Sequence, residues 1–164
     1  MRVAILGNSG SGKSTLARWL ARRNAEILDL DTLAWAPGKI AVARDLATAC
    51  ADVESFCAAH PSWVIEGCYG RLVTATLEHS PFLVFLDPGR EVCLANCRAR
   101  PWEPHKYATP AEQESKLAFL LDWVAAYDTR DDDMSRVAHS AAFAGYGGRK
   151  LHVTWVPDAG FVLP

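Results

Sequence analysis

Gly7-Asn8-Ser9-Gly10-Ser11-Gly12-Lys13-Ser14 decides the fold of this 164-residue chain. The octet fills every fixed position of the pattern G-x-x-x-x-G-K-[ST], and its flanks supply the context that pattern needs. Val3-Ala4-Ile5-Leu6 just before it is a continuous apolar run, the look of a strand buried on both faces. After it, Leu16, Trp19, Leu20 and Arg23 recur at helical spacing from Lys13 onward. The residue types follow from the chemistry of gripping polyphosphate. Glycines let the backbone curl so that successive N–H groups face inward as an anion nest, and the helix that follows adds its positive end. Lys13 then bridges the β- and γ-phosphates, the Ser14 hydroxyl ligates Mg²⁺, and Thr15 packs or caps the helix beside them. A glycine-rich turn without a ligand has no need of Lys followed by Ser.

Working outward, the chain alternates short apolar runs with helical stripes. Ile27-Leu28-Asp29-Leu30 is a second strand ending in Asp31. Leu46, Cys50, Val53 and Cys57 form one face of a helix that His60-Pro61 closes. Trp63-Val64-Ile65 is a third strand, and Phe82-Leu83-Val84-Phe85-Leu86 a fourth, stopped by Asp87-Pro88-Gly89. A helix over about 91–100 precedes a segment bounded by Pro101 and Pro110. Thr109-Pro110-Ala111-Glu112 then has the form of a capping box. The helix it opens carries Leu117, Leu120, Leu121 and Val124 on one face. Asp131, Asp132 and Asp133 suit the start of another helix, which Gly145, Gly147 and Gly148 end, and residues 151–156 make a fifth strand.

This alternation predicts an α/β protein: one three-layer α/β/α sandwich over residues 1–164 around a five-stranded, mostly parallel sheet. Ligands in such sheets bind beyond the carboxyl ends of the strands. The residues to question are therefore 7–14, 29–31, 66–71, 87–90 and 157–158.

Composition removes several classes of function. Half the residues are hydrophobic and 22% charged, which excludes a disordered tail. The 17 Lys+Arg against 19 Asp+Glu leave a net charge of -2, which excludes a broadly basic protein that coats nucleic acid. The five cysteines are odd in number, with no C-x-x-C pair, and suggest neither a disulfide framework nor a zinc ribbon. No apolar run approaches the length of a membrane span or of a signal peptide's core, so the chain reads as soluble and cytoplasmic.

Transfer of a phosphoryl group also needs a metal-shell acid, an acceptor site and cations. Glu66 and Asp87 each follow an apolar strand, and periodicity alone leaves the choice between them open. Asp29 and Asp31 point the same way at the end of the second strand, and Asp31 is the candidate acceptor-hydroxyl orienter or base. Among the arginines, Arg98 and Arg100 close a helix just before the proline-bounded segment, which can fold as a lid. Arg130 follows the next helix, while Arg90 and Arg136 rank behind these. The five histidines form no metal-binding spacing and read as surface or helix-end residues. Cys93 and Cys97 read as small buried apolar side chains. Cys68 reads as a loop residue open to substrate, and Trp35 sits where a planar or apolar acceptor can rest. Trp63, Trp102, Trp123 and Trp155 read as core or lid packing.

The segments AILGNSGSGKSTLAR, LDLDTLAW-x-PG, SWVIEGCYGR and LVFLDPGREVCLANCRAR, with Arg130 and the terminal HVTWVPDAGFV, cover most of the chain. In order and spacing they resemble P-loop small-molecule kinases of the adenylate-kinase and shikimate-kinase type. Closer still, they are similar to bacterial proteins called DNA topology modulation proteins. The resemblance implies a sheet ordered 2-3-1-4-5 and places Glu66 beside the P-loop strand, which moves the metal-shell assignment from Asp87 to Glu66. It also implies an acceptor-binding segment at 32–60, a short lid at 98–110 with Arg98 and Arg100 on the nucleotide, and an acceptor-binding Asp at Asp31. The family's Asn after its Glu/Asp-Gly pair is Cys68 here, and the Asp-Gly-Phe-Pro-Arg string of adenylate kinases is missing. Monophosphate specificity is therefore not carried over.

The function expected is an ATP- and Mg²⁺-dependent phosphotransferase acting on a small cytosolic acceptor. An ATP-driven switch working through a protein or DNA partner is the rival. No base-reading N-K-x-D string separates ATP from GTP, and the net charge lends DNA binding no physical support.

Overall fold

The computed structural model describes residues 1–22, 24–36, 42–104 and 106–164. Expectations that fall on Arg23, on residues 37–41 of the acceptor segment and on His105 lie outside the described residues. Five strands form the sheet: β1 (Arg2–Leu6), β2 (Glu26–Asp29), β3 (Trp63–Gly67), β4 (Phe82–Leu86) and β5 (Lys150–Val153). All neighbours pair parallel in the order β2-β3-β1-β4-β5. The helices are α1 (Lys13–Ala21), α2 (Asp31–Ala34), α3 (Leu46–Ala59), α4 (Gly70–Ala75), α5 (Arg90–Arg98), α6 (Pro110–Ala125) and α7 (Arg136–Gly145).

Parallel strands buried on both faces explain the unbroken apolar runs. Val3 and Ile5 of β1 face a core shared with Leu16 and Ala17 of α1, Val84, Leu86 and Val153. Ala4 and Leu6 face the opposite core with Val53 and Cys57 of α3, Leu72, Val73 and Leu83. A third cluster joins α5 and α6 through Cys93, Leu94, Cys97 and Val124. This is the expected three-layer α/β/α sandwich, with the glycine-rich loop emerging from the central strand. The register sets Ile5 beside Glu66 and Asp29 beside Glu66, so the ends of β1, β2 and β3 are level.

Helix α6 begins as its capping pattern predicts, with the Glu112 N–H donating to Thr109 Oγ1 at 3.1 Å. The Glu112 carboxylate accepts from the Ala108 N–H rather than that of Thr109. Other expectations are corrected. Residues 131–133 start no helix: α7 opens at Arg136 with Ser135 as its cap. Asp133 serves a different helix, its carboxylate accepting from the Arg71 N–H at the start of α4. Strand β5 ends at Val153, which leaves Trp155 half-exposed instead of in the core, and Trp102 is also exposed. His139 is neither at the surface nor at a helix end. It is fully buried in α7.

Candidate nucleotide and acceptor site

Local backbone chemistry shapes the loop. Gly10 has φ 77°, and a Cβ there would lie 2.3 Å from the Cys93 carbonyl oxygen of α5, so only glycine fits. Gly12 precedes α1 at φ 97°. The loop is also pinned from outside. Asn8 is buried, its side chain donating to the Val124 carbonyl of α6 at 3.1 Å and accepting from the Ser9 N–H at 2.9 Å. Asn96 of α5 donates to the Gly10 carbonyl at 2.8 Å. Lys13 is buried and donates to the Asn8 carbonyl at 2.8 Å, curled back across the loop. The Ser11 hydroxyl is buried with no partner among the described residues. Thr15 accepts a hydrogen bond from Arg18 at 3.3 Å.

Two carboxylates flank the loop, in contrasting settings. The Ser14 hydroxyl donates to Glu66 Oε1 at 2.6 Å. Glu66 is only 4% exposed, and burial pushes its carboxyl up against the opposing pull of Lys13, with Asp29 and Asp31 adding like charge. Asp87 lies on the other flank of β1. Its carboxylate accepts from Arg136 at 2.9 and 3.1 Å and has His152 at 3.6 Å. It lines a polar cavity of about 370 Å³ together with Asn8, Arg90, Tyr127, Asp128 and Arg136.

At the end of β2, Asp29 Oδ1 accepts from the Asp31 N–H at 2.9 Å and so starts the single turn of α2. Asp31 Oδ1 accepts from the Tyr69 hydroxyl at 2.7 Å, and the Trp35 indole donates to the same hydroxyl at 2.7 Å. Asp31 Oδ2 accepts from Lys106 at 2.8 Å. Burial works against the Asp31 charge, but the Lys106 ammonium, reinforced by both hydrogen bonds, outweighs it and holds the carboxyl below the usual range. Tyr69 and Lys106 are members of this cluster that the sequence reading did not single out. Tyr69 lay within the questioned 66–71 loop. Lys106 lay within the proline-bounded segment and carried no local signal.

The arginines separate. Arg100 stands just beyond α5 and donates to Ser9 Oγ at 3.3 Å and to Glu103 at 3.4 Å. Arg130 stacks 3.7 Å over the Trp123 ring and donates to the Met134 carbonyl at 2.7 Å. Its Nε and Nη1 are buried with no hydrogen-bond partner among the described residues. Asp132 Oδ2 lies 3.8 Å from Nε, an ion pair without a hydrogen bond, which leaves Nη1 as the donor that an incoming anion would satisfy. The tie of Arg130 to the loop runs through α6, which holds Trp123 and the Val124 carbonyl bonded to Asn8. Arg98 is exposed and makes no hydrogen bond or ion pair to a described residue. Arg136 is committed to Asp87, and Arg90 pairs with Glu91. The structure thus gathers the loop, Glu66, Asp29, Asp31 and Arg100 at the carboxyl ends of the strands, while Asp87, at the end of β4 on the loop's other flank, is held by Arg136.

Comparison with known proteins gives likeness of shape only. No protein-family model matches the chain, and no curated protein matches it. Among solved structures it is similar to a sugar kinase from Janibacter sp. HTCC2649 (18% identity, 92% of this chain and 83% of that one, TM-score 0.47). It is also similar to shikimate kinase from Acinetobacter baumannii (19%, 85% and 90%, TM-score 0.42). A gluconokinase from Sinorhizobium meliloti 1021 matches as well (16%, 88% and 97%, TM-score 0.47). None of these carries the DNA topology name. Among the described residues no helix is long and apolar enough to cross a membrane.

Proposed function

We propose that this chain is an ATP- and magnesium-dependent phosphotransferase acting on a small hydroxyl-bearing acceptor in the cytosol. The observation that carries the reading is the 2.6 Å bond between Ser14 and Glu66 at the mouth of a loop whose lysine is Lys13. A hydroxyl and a buried carboxylate are hard oxygen donors, and the carboxylate is one that burial leaves short of positive charge, so the pair fits a magnesium ion. When bound, that ion supplies charge neutralisation to the β- and γ-phosphates.

The protein's own groups do the rest. The amides of residues 7–15 hold the triphosphate, and Lys13 leaves the Asn8 carbonyl to meet it. Arg100, with its neighbour Arg98, meets the phosphates from the segment over 98–110, which acts as the lid. Arg130, whose Nη1 has no hydrogen-bond partner among the described residues, takes up charge on the moving group. The acceptor lies against residues 32–60, its hydroxyl bonded to Asp31, which orients the oxygen toward phosphorus and receives its proton. Catalysis rests on positioning and electrostatics.

The test is turnover of ATP with Mg²⁺ across a panel of small hydroxylated metabolites, with double-stranded DNA as one member. The reading expects one small compound to accelerate ADP release by about a hundredfold or more while gaining phosphate. Acceleration by DNA alone, or indifference to every compound, overturns it.

A further inference from the structure

Arg100 and Lys106, both between α5 and α6, are tied to two different parts of the candidate site. Arg100 reaches Ser9 of the phosphate loop. Lys106 reaches Asp31 Oδ2 at 2.8 Å and Glu103 at 3.6 Å. The stretch between is braced from α6. Gln113 accepts from the Glu103 N–H at 2.8 Å and donates to the Pro101 carbonyl at 3.1 Å, while the Lys106 N–H donates to the Glu103 carbonyl at 2.9 Å. Lys106 therefore meets Asp31 from a supported backbone. Both oxygens of Asp31 are engaged, and the Tyr69 bond is itself fixed by Trp35. A newcomer that takes over the position on Oδ2 now held at 2.8 Å displaces Lys106.

Building on the phosphotransferase reading, we propose that Lys106 is a positioning residue that masks Asp31 against water until an acceptor hydroxyl replaces it. The reaction it suppresses is idle hydrolysis. In that reaction a water oxygen bonds to the γ-phosphorus, and the bond to the β–γ bridging oxygen breaks with its electron pair remaining on ADP. The water's proton passes to Asp31 Oδ2 and then to solvent, giving ADP and inorganic phosphate. The Lys106 ammonium occupies one acceptor position of Oδ2 and, by its charge, makes that oxygen a poorer base for the water's proton. Water is too weak a competitor to dislodge the ion pair. An acceptor held at several points is not.

The experiment measures ATP hydrolysis with Mg²⁺ and no acceptor. Lys106→Met is expected to raise the rate about tenfold or more, with little change in KM for ATP. Lys106→Arg, which keeps the charge, should return it toward the parent rate, and adding Asp31→Asn to Lys106→Met should abolish the gain. A purely structural role for Lys106 would show none of this reversal. Hydrolysis by Lys106→Met equal to or below that of the parent, with ATP still bound, overturns the proposal alone. Failure of the parent chain to bind ATP in calorimetry overturns the underlying reading as well. Should Lys106→Met not fold, Asp31→Asn supplies the second measurement. Amide exchange over residues 99–104 should then quicken about tenfold, and unchanged exchange overturns the proposal.

Discussion

Glu66 and Asp87 show how much a residue's meaning depends on what reaches it. Each is an acid at the end of an apolar strand beside β1, and periodicity alone could not separate them, although the family resemblance favoured Glu66. The difference comes from residues far off in sequence: Ser14, which bonds Glu66, and Arg136, which occupies Asp87. If Glu66 completes a metal shell, Glu66→Gln should cut kcat by about a hundredfold and raise the Mg²⁺ concentration needed for half-maximal rate. Asp87→Asn should leave the Mg²⁺ dependence alone and lower stability by about 1–2 kcal/mol, since Arg136 is half-exposed and its pairing partly screened. Steady-state rates against Mg²⁺, with urea unfolding of both variants, check this. The reverse pattern would return the metal role to Asp87.

At the scale of elements, α7 is joined to the loop after β3 by a buried histidine. His139 has the Cys68 carbonyl 2.8 Å from Nε2 and the Tyr127 hydroxyl 2.7 Å from Nδ1. A carbonyl only accepts, so Nε2 carries the proton and Nδ1 accepts from the tyrosine. Burial, opposed by the Cys68 bond and aided by the charges of Lys13 and Arg130, pushes the imidazole from 6.5 down to about 4. Between these two values the unfolded chain binds a proton that the folded chain refuses. The contribution is therefore complete above pH 6.5 and is lost as pH falls toward 4, to a limit of about 3 kcal/mol. Urea unfolding at pH 7 and pH 5 should show a larger loss for the parent than for His139→Gln. Equal losses would contradict the buried neutral state. Nothing in the local spacing of His139 revealed this. A helix ending near Gly145 was expected there, but the partners of His139 lie on other elements.

For the whole molecule, legibility followed locality. The strands, the helices α1, α3, α5 and α6, and the glycine loop each rest on short-range periodicity, on turn residues or on caps, and were readable from the chain. The strand order came with a family resemblance, because periodicity does not say which strands are neighbours. The short helices α2 and α4 were not readable. One hangs on an Asp29 side chain and the other on a carboxylate about sixty residues away. The acceptor cluster was half readable, since Asp31 stands at a strand end while Tyr69 and Lys106 arrive from a distant loop and connection.

All of this chemistry depends on a triphosphate seated on main-chain amides next to one ammonium. Titration calorimetry of the folded chain with ATP and Mg²⁺ addresses it most directly, set beside Lys13→Ala with an unchanged circular dichroism spectrum. The account predicts saturable heat for the parent and at least about tenfold weaker binding for the variant. Absence of heat from the parent, or equal affinity in the two proteins, would contradict it.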